Sequence, residues 1–363
     1  MARGERTATT RRGRRLLLLA IGLAAGLVLA ETGVRVVRAF GDPGRLEASQ
    51  LLAGSPTDVP PGTEANLSQI VRAAKNPAIV YELRPDLDVT FHGVRVQTNA
   101  DGFRGPARAR AKPAHGYRIV GLGDSVLFGW GVPFAACGLS VLEQRLQVAL
   151  PDRVVEAIDT GVPGYNTAME AEVLRDKGLP FAPDLVLVDF VGNDFDLPDF
   201  LWDQPDYWSL RRSFLLDLAR RVLWRRHAQL EGPFVWRPAD ADGRDPSARD
   251  RVPAAYRHLV GPEAFRRALQ AIVAMGREHG FRVLVTGHHL LLPEAAAICA
   301  ELGVPVATPV ERTQRWLYDH GFADLTRSPL TLGDGDPHPS PLLHQWWAEA
   351  VHDRLRELGW LPP

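Results

Sequence analysis

The chain has 363 residues, of which 45% are hydrophobic and 23% charged, and its formal net charge is −1. This composition supports a globular core of one large or two smaller domains, and it excludes a global electrostatic field that would attract nucleic acid. The two cysteines are too few for a disulfide framework, and we interpret them as small buried hydrophobic residues. The sequence shows no zinc-finger spacing, no phosphate-binding glycine loop and no internal repeat, so we expect neither a metal nor a cofactor.

Residues 1–40 are predicted to be a targeting element, because six arginines precede an unbroken apolar run over residues 16–30. The length of this run falls between that of a signal-peptide core and the roughly 20 residues of a full membrane span. One interpretation is cleavage after the small residues near Ala30. The other, which we favour, is an uncleaved transmembrane anchor that continues as a helix to Val37, with Glu31 and Arg35 in the interface.

The arginines before the apolar run favour a cytoplasmic N-terminus. We therefore predict that the rest of the chain lies outside the cytoplasm, in the periplasm or at the cell exterior. The membrane, contacted through the N-terminal helix, is one predicted partner, and nucleic acid is not.

Residues 41–116 are predicted to connect this anchor to the main domain. Residues 41–76 contain several prolines and glycines with weak periodicity, which is typical of a linker. Residues 77–116 are predicted to form a small β-element, because the runs at 79–83 and 89–99 are strand-like and the second ends in a turn sequence. His92, within the second run, is interpreted as an exposed strand residue.

From residue 117 to residue 363, short apolar strands alternate with loops and helices, which indicates parallel βα units of the α/β class. The first strand ends at residues 123–125 (Gly-Asp-Ser), the second precedes a loop that contains Gly164, and the third ends at residues 192–194 (Gly-Asn-Asp). Two more strands are predicted at 281–287 and 304–307. Open α/β sheets place their chemistry at the carboxyl ends of the strands, so these loops are expected to share one site.

An aromatic-rich insertion at residues 196–262 interrupts the alternation directly after the third strand. Its position allows it to roof the site, and an equally weighted interpretation is a helical excursion that buries its aromatic residues in a small core of its own. His288 and His289 follow the fourth strand without a carboxylate cluster, so we interpret them as polar loop residues rather than metal ligands.

A loop near the C-terminus, residues 332–340, contains two aspartates, followed by a histidine between two prolines. An aspartate and a histidine two residues apart in a rigid loop can face each other. The carboxylate can then hold one ring nitrogen while the other points at a hydroxyl.

The loops after the first three strands and the loop near the C-terminus together resemble the SGNH/GDSL hydrolase superfamily. The N-terminal apolar span and residues 76–105 also resemble the superfamily's bacterial, membrane-anchored envelope members. The family's marks occur here in the family's order, over roughly residues 117–358: Gly123-Asp124-Ser125, Gly164, Gly192-Asn193-Asp194 and Asp336-Pro337-His338-Pro339. The resemblance implies a three-layer α/β/α sandwich with a central parallel sheet. It also implies a serine esterase for acyl or acetyl esters of small molecules or carbohydrates.

The resemblance further implies residue roles, with Ser125 as the nucleophile and His338 as its base. The oxyanion hole would consist of the Ser125 and Gly164 backbone N–H groups and the Asn193 amide. The usual pattern has Asp three residues before His, where this chain has Gly335. We expect Asp336 to support His338, with Asp334 as the alternative, because family branches that move acetyl groups on envelope polysaccharides use the two-residue spacing.

Two alternative functions stay open at this point. One is an O-acetyltransferase that passes the acyl group to a sugar hydroxyl of an envelope polysaccharide. The other is a non-catalytic envelope protein that binds glycan in the cleft, which the aromatic insertion would suit.

Overall fold

The computed structural model describes residues 4–41, 52, 60–201, 207–208, 210, 213–223, 254–333 and 335–362. The chain divides into two compact units: residues 1–46 with 202–231, and residues 47–201 with 232–363.

The helices of the described residues, in chain order, are α1 Gly4–Gly41, α2 Leu67–Ile70, α3 Ser125–Phe128, α4 Gly138–Ala149, α5 Thr167–Val173, α6 Phe214–Leu223, α7 Pro262–His279, α8 Pro293–Glu301, α9 Val310–Asp319 and α10 Pro341–Glu357. The strands in the same residues are β1 Val71–Ala73, β2 Tyr81–Leu83, β3 Asp88–Phe91, β4 Val94–Gln97, β5 Gly116–Gly123, β6 Val154–Asp159, β7 Leu185–Asp189, β8 Arg282–Thr286, β9 Val306–Ala307, β10 Thr331–Gly333 and β11 Asp336–Pro339.

A five-stranded parallel sheet with the order β6-β5-β7-β8-β9 forms the centre of the larger unit. Strands β5 and β7 are buried along almost their whole length, as parallel strands covered on both faces should be. Strand β5, which precedes Ser125, lies between β6 and β7, so the carboxyl ends of these three strands are adjacent. The predicted α/β class with a central parallel sheet is confirmed.

Helices cover both faces of this sheet and complete three layers. On one face, apolar residues of α5, α7 and α8 pack against the sheet, among them Ala171, Leu269 and Ile298. On the other face, α4 and α10 contribute residues such as Leu142 and Trp347 to a second core.

Regular structure begins earlier than the predicted start of the β-element at residue 77. Asn66 and Gln69 form a reciprocal capping box at the start of α2, and β1 then pairs with β2 in antiparallel register. Residues 60–76 of the predicted linker are therefore structured, because this cap and the Val71–Leu83 pairing order them locally. Strands β3 and β4 form a second antiparallel pair.

The smaller unit contains α1 and α6. Residues 14–41 of α1 are long and apolar enough to cross a membrane, with a mean hydropathy of 2.1. Glu31, directly after the apolar run, accepts hydrogen bonds from the Phe214 N–H at 2.9 Å, the Leu215 N–H at 2.8 Å and the Ser213 hydroxyl at 2.8 Å. Arg35 pairs with Glu31 at 2.7 Å. A carboxylate of α1 therefore caps the N-terminus of α6.

The aromatic-rich insertion is divided between the two units. Its ends contribute five residues to a small cluster of the larger unit: Leu197, Leu201, Tyr256, Leu259 and Val260. Residues 202–231 belong to the unit that contains α1. Four of the insertion's aromatic residues, Trp202, Trp224, Phe234 and Trp236, lie outside the described residues.

Candidate active site

Ser125 is the first residue of the short helix α3 and follows strand β5 with only Asp124 between them. The Asp124 carboxylate accepts the Val126 N–H at 2.8 Å and so caps this helix. A side chain at Gly123 would place its Cβ 2.6 Å from the Leu127 Cβ, so only glycine allows the chain to turn this tightly. The tight turn leaves the Ser125 hydroxyl at the carboxyl end of the sheet.

Ser125, His338 and Asp336 form one hydrogen-bonded chain. The Ser125 Oγ lies 2.9 Å from His338 Nε2, and His338 Nδ1 lies 2.6 Å from Asp336 Oδ1. The same Asp336 oxygen accepts the His338 backbone N–H at 2.9 Å. A carboxylate beside Nδ1 places the imidazole proton there, which leaves Nε2 as an acceptor for the serine proton.

Two short antiparallel strands, β10 and β11, present this pair. Pro337 separates Asp336 from His338, and its fixed φ limits the conformations of this segment. Partial burial raises the pKa of Asp336, but hydrogen bonds from the His338 imidazole and backbone N–H outweigh this effect and lower the pKa overall. The carboxylate is therefore ionised at neutral pH. The alternative aspartate, Asp334, lies outside the described residues.

Asn193 lies in a 3-10 turn, residues Gly192–Phe195, after β7. Its Nδ2 donates to Asp124 Oδ2 at 2.7 Å, so the amide is tied to the residue beside Ser125. This bond uses one of the two N–H groups on Nδ2 and leaves the other to point elsewhere.

Gly164 lies in the loop after β6, with a left-handed φ of 82°. A Cβ at this position would collide with Asp199 Oδ2 and would lie 2.7 Å from the Tyr81 hydroxyl. The loop therefore requires glycine for both its backbone conformation and its packing.

Buried carboxyl groups support the loops around Ser125. Asp194 accepts the Val191 N–H and the Thr167 hydroxyl, each at 2.6 Å. Burial raises the pKa of Asp124 and raises that of Asp194 well above its usual range. Both residues accept bonds from backbone N–H groups of the loops and so hold the backbone around the site.

His92 is not an exposed strand residue, and that interpretation is wrong. It lies in the turn between β3 and β4, half-buried, with a φ of 50°. Its ring is 3.9 Å, centroid to centroid, from that of Trp130, and Trp130 stacks on His338 at 4.9 Å. Neither residue was found from the sequence as part of the site. The available signal was a His-Gly pair where a hairpin turn usually has Asn-Gly.

His288 lies in the loop after β8, as predicted, but its side chain is buried in the core. Its Nδ1 lies 3.2 Å from Asp189 Oδ2, its Nε2 lies 2.9 Å from His344 Nδ1, and its ring stacks on Trp347. Burial lowers the pKa of His288 to about 3. In the described part of the chain, no group of three or more His, Cys, Asp or Glu side chains is arranged to hold a metal ion.

A three-layer α/β/α sandwich with a serine, a histidine and an aspartate within hydrogen-bond distance of one another at the carboxyl edge of its sheet is an arrangement typical of serine hydrolases. The model of the GDSL-like lipase/acylhydrolase family matches residues 122–346, and the chain belongs to this family. It is accordingly a hydrolase that acts on ester bonds, and the resemblance drawn from the four motifs is confirmed.

Solved structures with a similar fold have low sequence identity to this chain. TesA is 14% identical, with 66% of this chain and 99% of that chain covered and a TM-score of 0.39. A putative lipolytic protein of the G-D-S-L family from Desulfitobacterium hafniense is 14% identical, with coverage of 65% and 98% and a TM-score of 0.37. A catalytic mutant of Axe2, an acetylxylan esterase from Geobacillus stearothermophilus, is 13% identical, with coverage of 70% and 100% and a TM-score of 0.40. No curated protein matches this sequence.

Proposed function

We propose that this protein is a serine esterase that hydrolyses acyl or acetyl esters outside the cytoplasm, with Ser125 as its nucleophile. The observation that carries the proposal is the unbroken chain of hydrogen bonds from Asp336 through His338 to Ser125. A serine hydroxyl is a weak nucleophile unless a base within hydrogen-bond distance takes its proton, and His338 Nε2 is at that distance.

The reaction divides into two acyl-transfer steps. As Ser125 Oγ attacks the ester carbonyl carbon, its proton passes to His338 Nε2, and the carbonyl oxygen becomes an oxyanion. When the intermediate collapses, the C–O bond to the alcohol breaks and His338 returns the proton to the leaving alcohol. Water then repeats the sequence on the acyl-enzyme and releases the acid. Asp336 holds the imidazole tautomer and stabilises the imidazolium throughout.

The oxyanion requires donors that are already in position. We assign this role to the backbone N–H groups of Ser125 and Gly164 and to the side-chain amide of Asn193. The support for Asn193 is its bond to Asp124, which orients the amide beside the nucleophile and leaves one N–H for the substrate. Losing one such donor typically costs about 3 kcal/mol of transition-state stabilisation.

The anchor and its orientation belong to the same proposal. The support is the apolar helix of residues 14–41 and the arginines before it. A reporter that is active only in the cytoplasm, fused after Pro363, should be silent, and a periplasmic reporter at the same place should be active. The reverse result would contradict this orientation.

The substrate class is tested with the full chain in detergent, using p-nitrophenyl esters of increasing acyl length beside acetylated polysaccharide. We expect hydrolysis that is lost in Ser125→Ala. A serine-directed fluorophosphonate should label the wild type and fail to label this variant. Label on another serine, or label that survives the substitution, would contradict the mechanism. No label and no turnover in the wild type would instead favour a non-catalytic, glycan-binding protein.

Acyl transfer to a sugar hydroxyl is the second candidate, and the two-residue spacing between Asp336 and His338 favours it. The two reactions share the acyl-enzyme and differ in the acceptor. Adding a polysaccharide acceptor to an acetyl ester donor distinguishes them, because a transferase forms acetylated polysaccharide faster than free acetate.

A further inference from the structure

Three rings lie in contact beside Ser125 and belong to three separate segments of the larger unit. The Trp130 indole and the His338 imidazole are nearly parallel, with 10° between their planes and 4.9 Å between their centroids. The His92 imidazole lies 3.9 Å from the indole and is tilted by 37°. The backbone N–H of Trp130 donates to the Ser125 carbonyl oxygen at 3.0 Å, so the residue that carries the indole belongs to the same turn as Ser125.

The turn at His92 restricts which residues fit there. Phe91 and Val94 are paired, which leaves a two-residue turn in which His92 has a φ of 50° and Gly93 a φ of 75°. A turn with both φ values positive favours Asn-Gly, and His is, with Asn and Asp, one of the non-glycine residues enriched in the left-handed region. The backbone therefore accepts either residue, and the contact of the ring with Trp130 is what His adds over Asn.

The hairpin is fixed to the segment that carries the nucleophile. Phe91 is fully buried and meets the edge of Trp130 at 4.8 Å and that of Phe128 at 6.1 Å. Phe128 is the last residue of α3, the helix that starts at Ser125. Trp130 is therefore held by the β3–β4 hairpin while it contacts the imidazole of His338.

The position of the Trp130 indole against the His338 imidazole allows it to affect acyl transfer in two ways. A stacked ring restricts rotation of the imidazole, which keeps Nδ1 on Asp336 and Nε2 on Ser125. The indole face also attracts a cation, and His338 becomes a cation when it takes the serine proton.

The His92 ring does not repel the protonated imidazole of His338, because it carries no charge of its own. Burial lowers the pKa of His92, although Asp336 and Glu64 act in the other direction, so the ring is neutral at neutral pH.

We propose that Trp130 and His92 are positioning residues of the esterase reaction: Trp130 holds the plane of the His338 imidazole and favours its protonated form, and His92 holds Trp130. This inference rests on the proposed role of His338 as the general base. Four other titratable groups interact electrostatically with His338. They are Asp336 on the same strand, Asp124 in the turn before α3, His289 in the loop after β8, and His344 on α10. Substitutions at Trp130 and His92 leave all four in place.

The first test uses His92→Asn, which supplies the residue that the turn prefers and removes the ring. We expect the melting temperature of the full chain to stay equal or rise. The value of kcat should fall about fivefold with KM unchanged, and the rate of fluorophosphonate labelling at Ser125 should fall by the same factor. His92→Phe retains an aromatic ring without a titratable group and should recover most of the rate. Wild-type kcat in His92→Asn, or a Phe variant no faster than the Asn variant, would overturn the inference.

The second test uses Trp130→Leu, with Trp130→Phe as the conservative partner. We expect kcat to fall about tenfold, the equivalent of about 1.4 kcal/mol. The acid limb of the pH profile of kcat/KM should move to lower pH, because the imidazolium loses its stabilising face. The Phe variant should lie between the wild type and the Leu variant in both respects. A change in KM alone, or an acid limb that does not move, would show that Trp130 only fills space.

Labelling separates failure of this inference from failure of the proposed function. A wild type that the fluorophosphonate does not label at Ser125 overturns the proposed function and, with it, the general-base role that the inference requires. A wild type that is labelled, beside a His92→Asn variant labelled at the same rate, overturns the inference alone.

Discussion

The Asp336 carboxylate is the residue-scale feature on which the proposed mechanism depends most. One of its oxygens accepts both the imidazole Nδ1–H and the backbone N–H of His338. Asp336→Asn should therefore leave the fold intact and lower kcat by about 10⁴, because an amide can favour the wrong imidazole tautomer and cannot balance the imidazolium charge. Steady-state kinetics on an ester substrate, with a thermal melt beside them, measures this.

Asp334→Asn is the matched control, since it makes the same chemical change two residues earlier in the same loop. We expect it to change kcat little. Collapse of kcat in this variant, with near-normal kcat in Asp336→Asn, would assign the role to the other carboxylate. Near-normal kcat in both variants would indicate a Ser-His dyad.

Asn193 provides a second prediction at the residue scale. If its amide stabilises the oxyanion, Asn193→Ala should lower kcat by about 10²–10³ with little change in KM, because the interaction forms only in the transition state. A thermal melt checks that loss of the bond to Asp124 leaves the fold intact. A large rise in KM at unchanged kcat would instead place Asn193 in ground-state binding.

At the scale of elements, the strands of the central sheet and the loops after them could be predicted, because short stretches of sequence determine them. An apolar run that ends in glycine and a polar residue marks the end of a buried parallel strand, and β5 and β7 follow this pattern. The order of the motifs likewise predicts Ser125, Asn193 and His338 as site residues from local sequence alone.

His92 and His288 could not be predicted in this way, because residues distant in the sequence determine their environments. His92 meets Trp130 only after the β3–β4 hairpin packs beside α3, and His288 meets His344 only after α10 covers the sheet. A histidine has the same appearance in a sequence whether it is solvated, stacked or buried. The start of the β-element was missed for a related reason, since β1 depends on its pairing with β2.

The contact between α1 and α6 yields a prediction at the element scale. Glu31→Ala removes the carboxylate that caps α6 and so should destabilise the docked helix by about 1 kcal/mol, which increases local opening about fivefold. Limited trypsin digestion of the full chain in detergent should then cleave after Arg220 and Arg221 about fivefold faster. Glu301→Ala, which removes an exposed ion pair with Arg266, is the control and should leave this rate unchanged. Equal rates in the Glu31 variant and the wild type would contradict the capping role.

At the scale of the whole molecule, two carboxyl groups buried at the ends of the sheet strands should make stability depend on pH. Burial raises the pKa of Asp159 to about 7, although the Gly161 N–H and Arg104 act in the opposite direction. Burial likewise raises the pKa of Asp189 to about 7, against hydrogen bonds from Thr286 and Trp347. Both groups therefore hold a proton in the folded protein at pH values where the unfolded chain has lost it.

The sign of the dependence follows from proton binding. Between about pH 4 and pH 7 the folded state binds more protons than the unfolded state at these two positions, so their contribution to stability falls as the pH rises. The contribution is fully present below the unfolded pKa and is lost above about pH 7. A shift of this size in one buried group corresponds to at most about 4 kcal/mol.

Asp159→Asn isolates one of these contributions, because the amide stays neutral at every pH. Relative to the wild type, its melting temperature should rise steadily from pH 5 to pH 8, even if loss of the ideal acceptor for the Gly161 N–H lowers it at pH 5. Thermal melts of both full-length proteins in one detergent, at constant ionic strength, measure this difference. Asp152→Asn, at an exposed position, is the control and should give a curve parallel to that of the wild type. A difference between Asp159→Asn and the wild type that does not change with pH would show that Asp159 carries the same charge in both the folded and the unfolded state over this range.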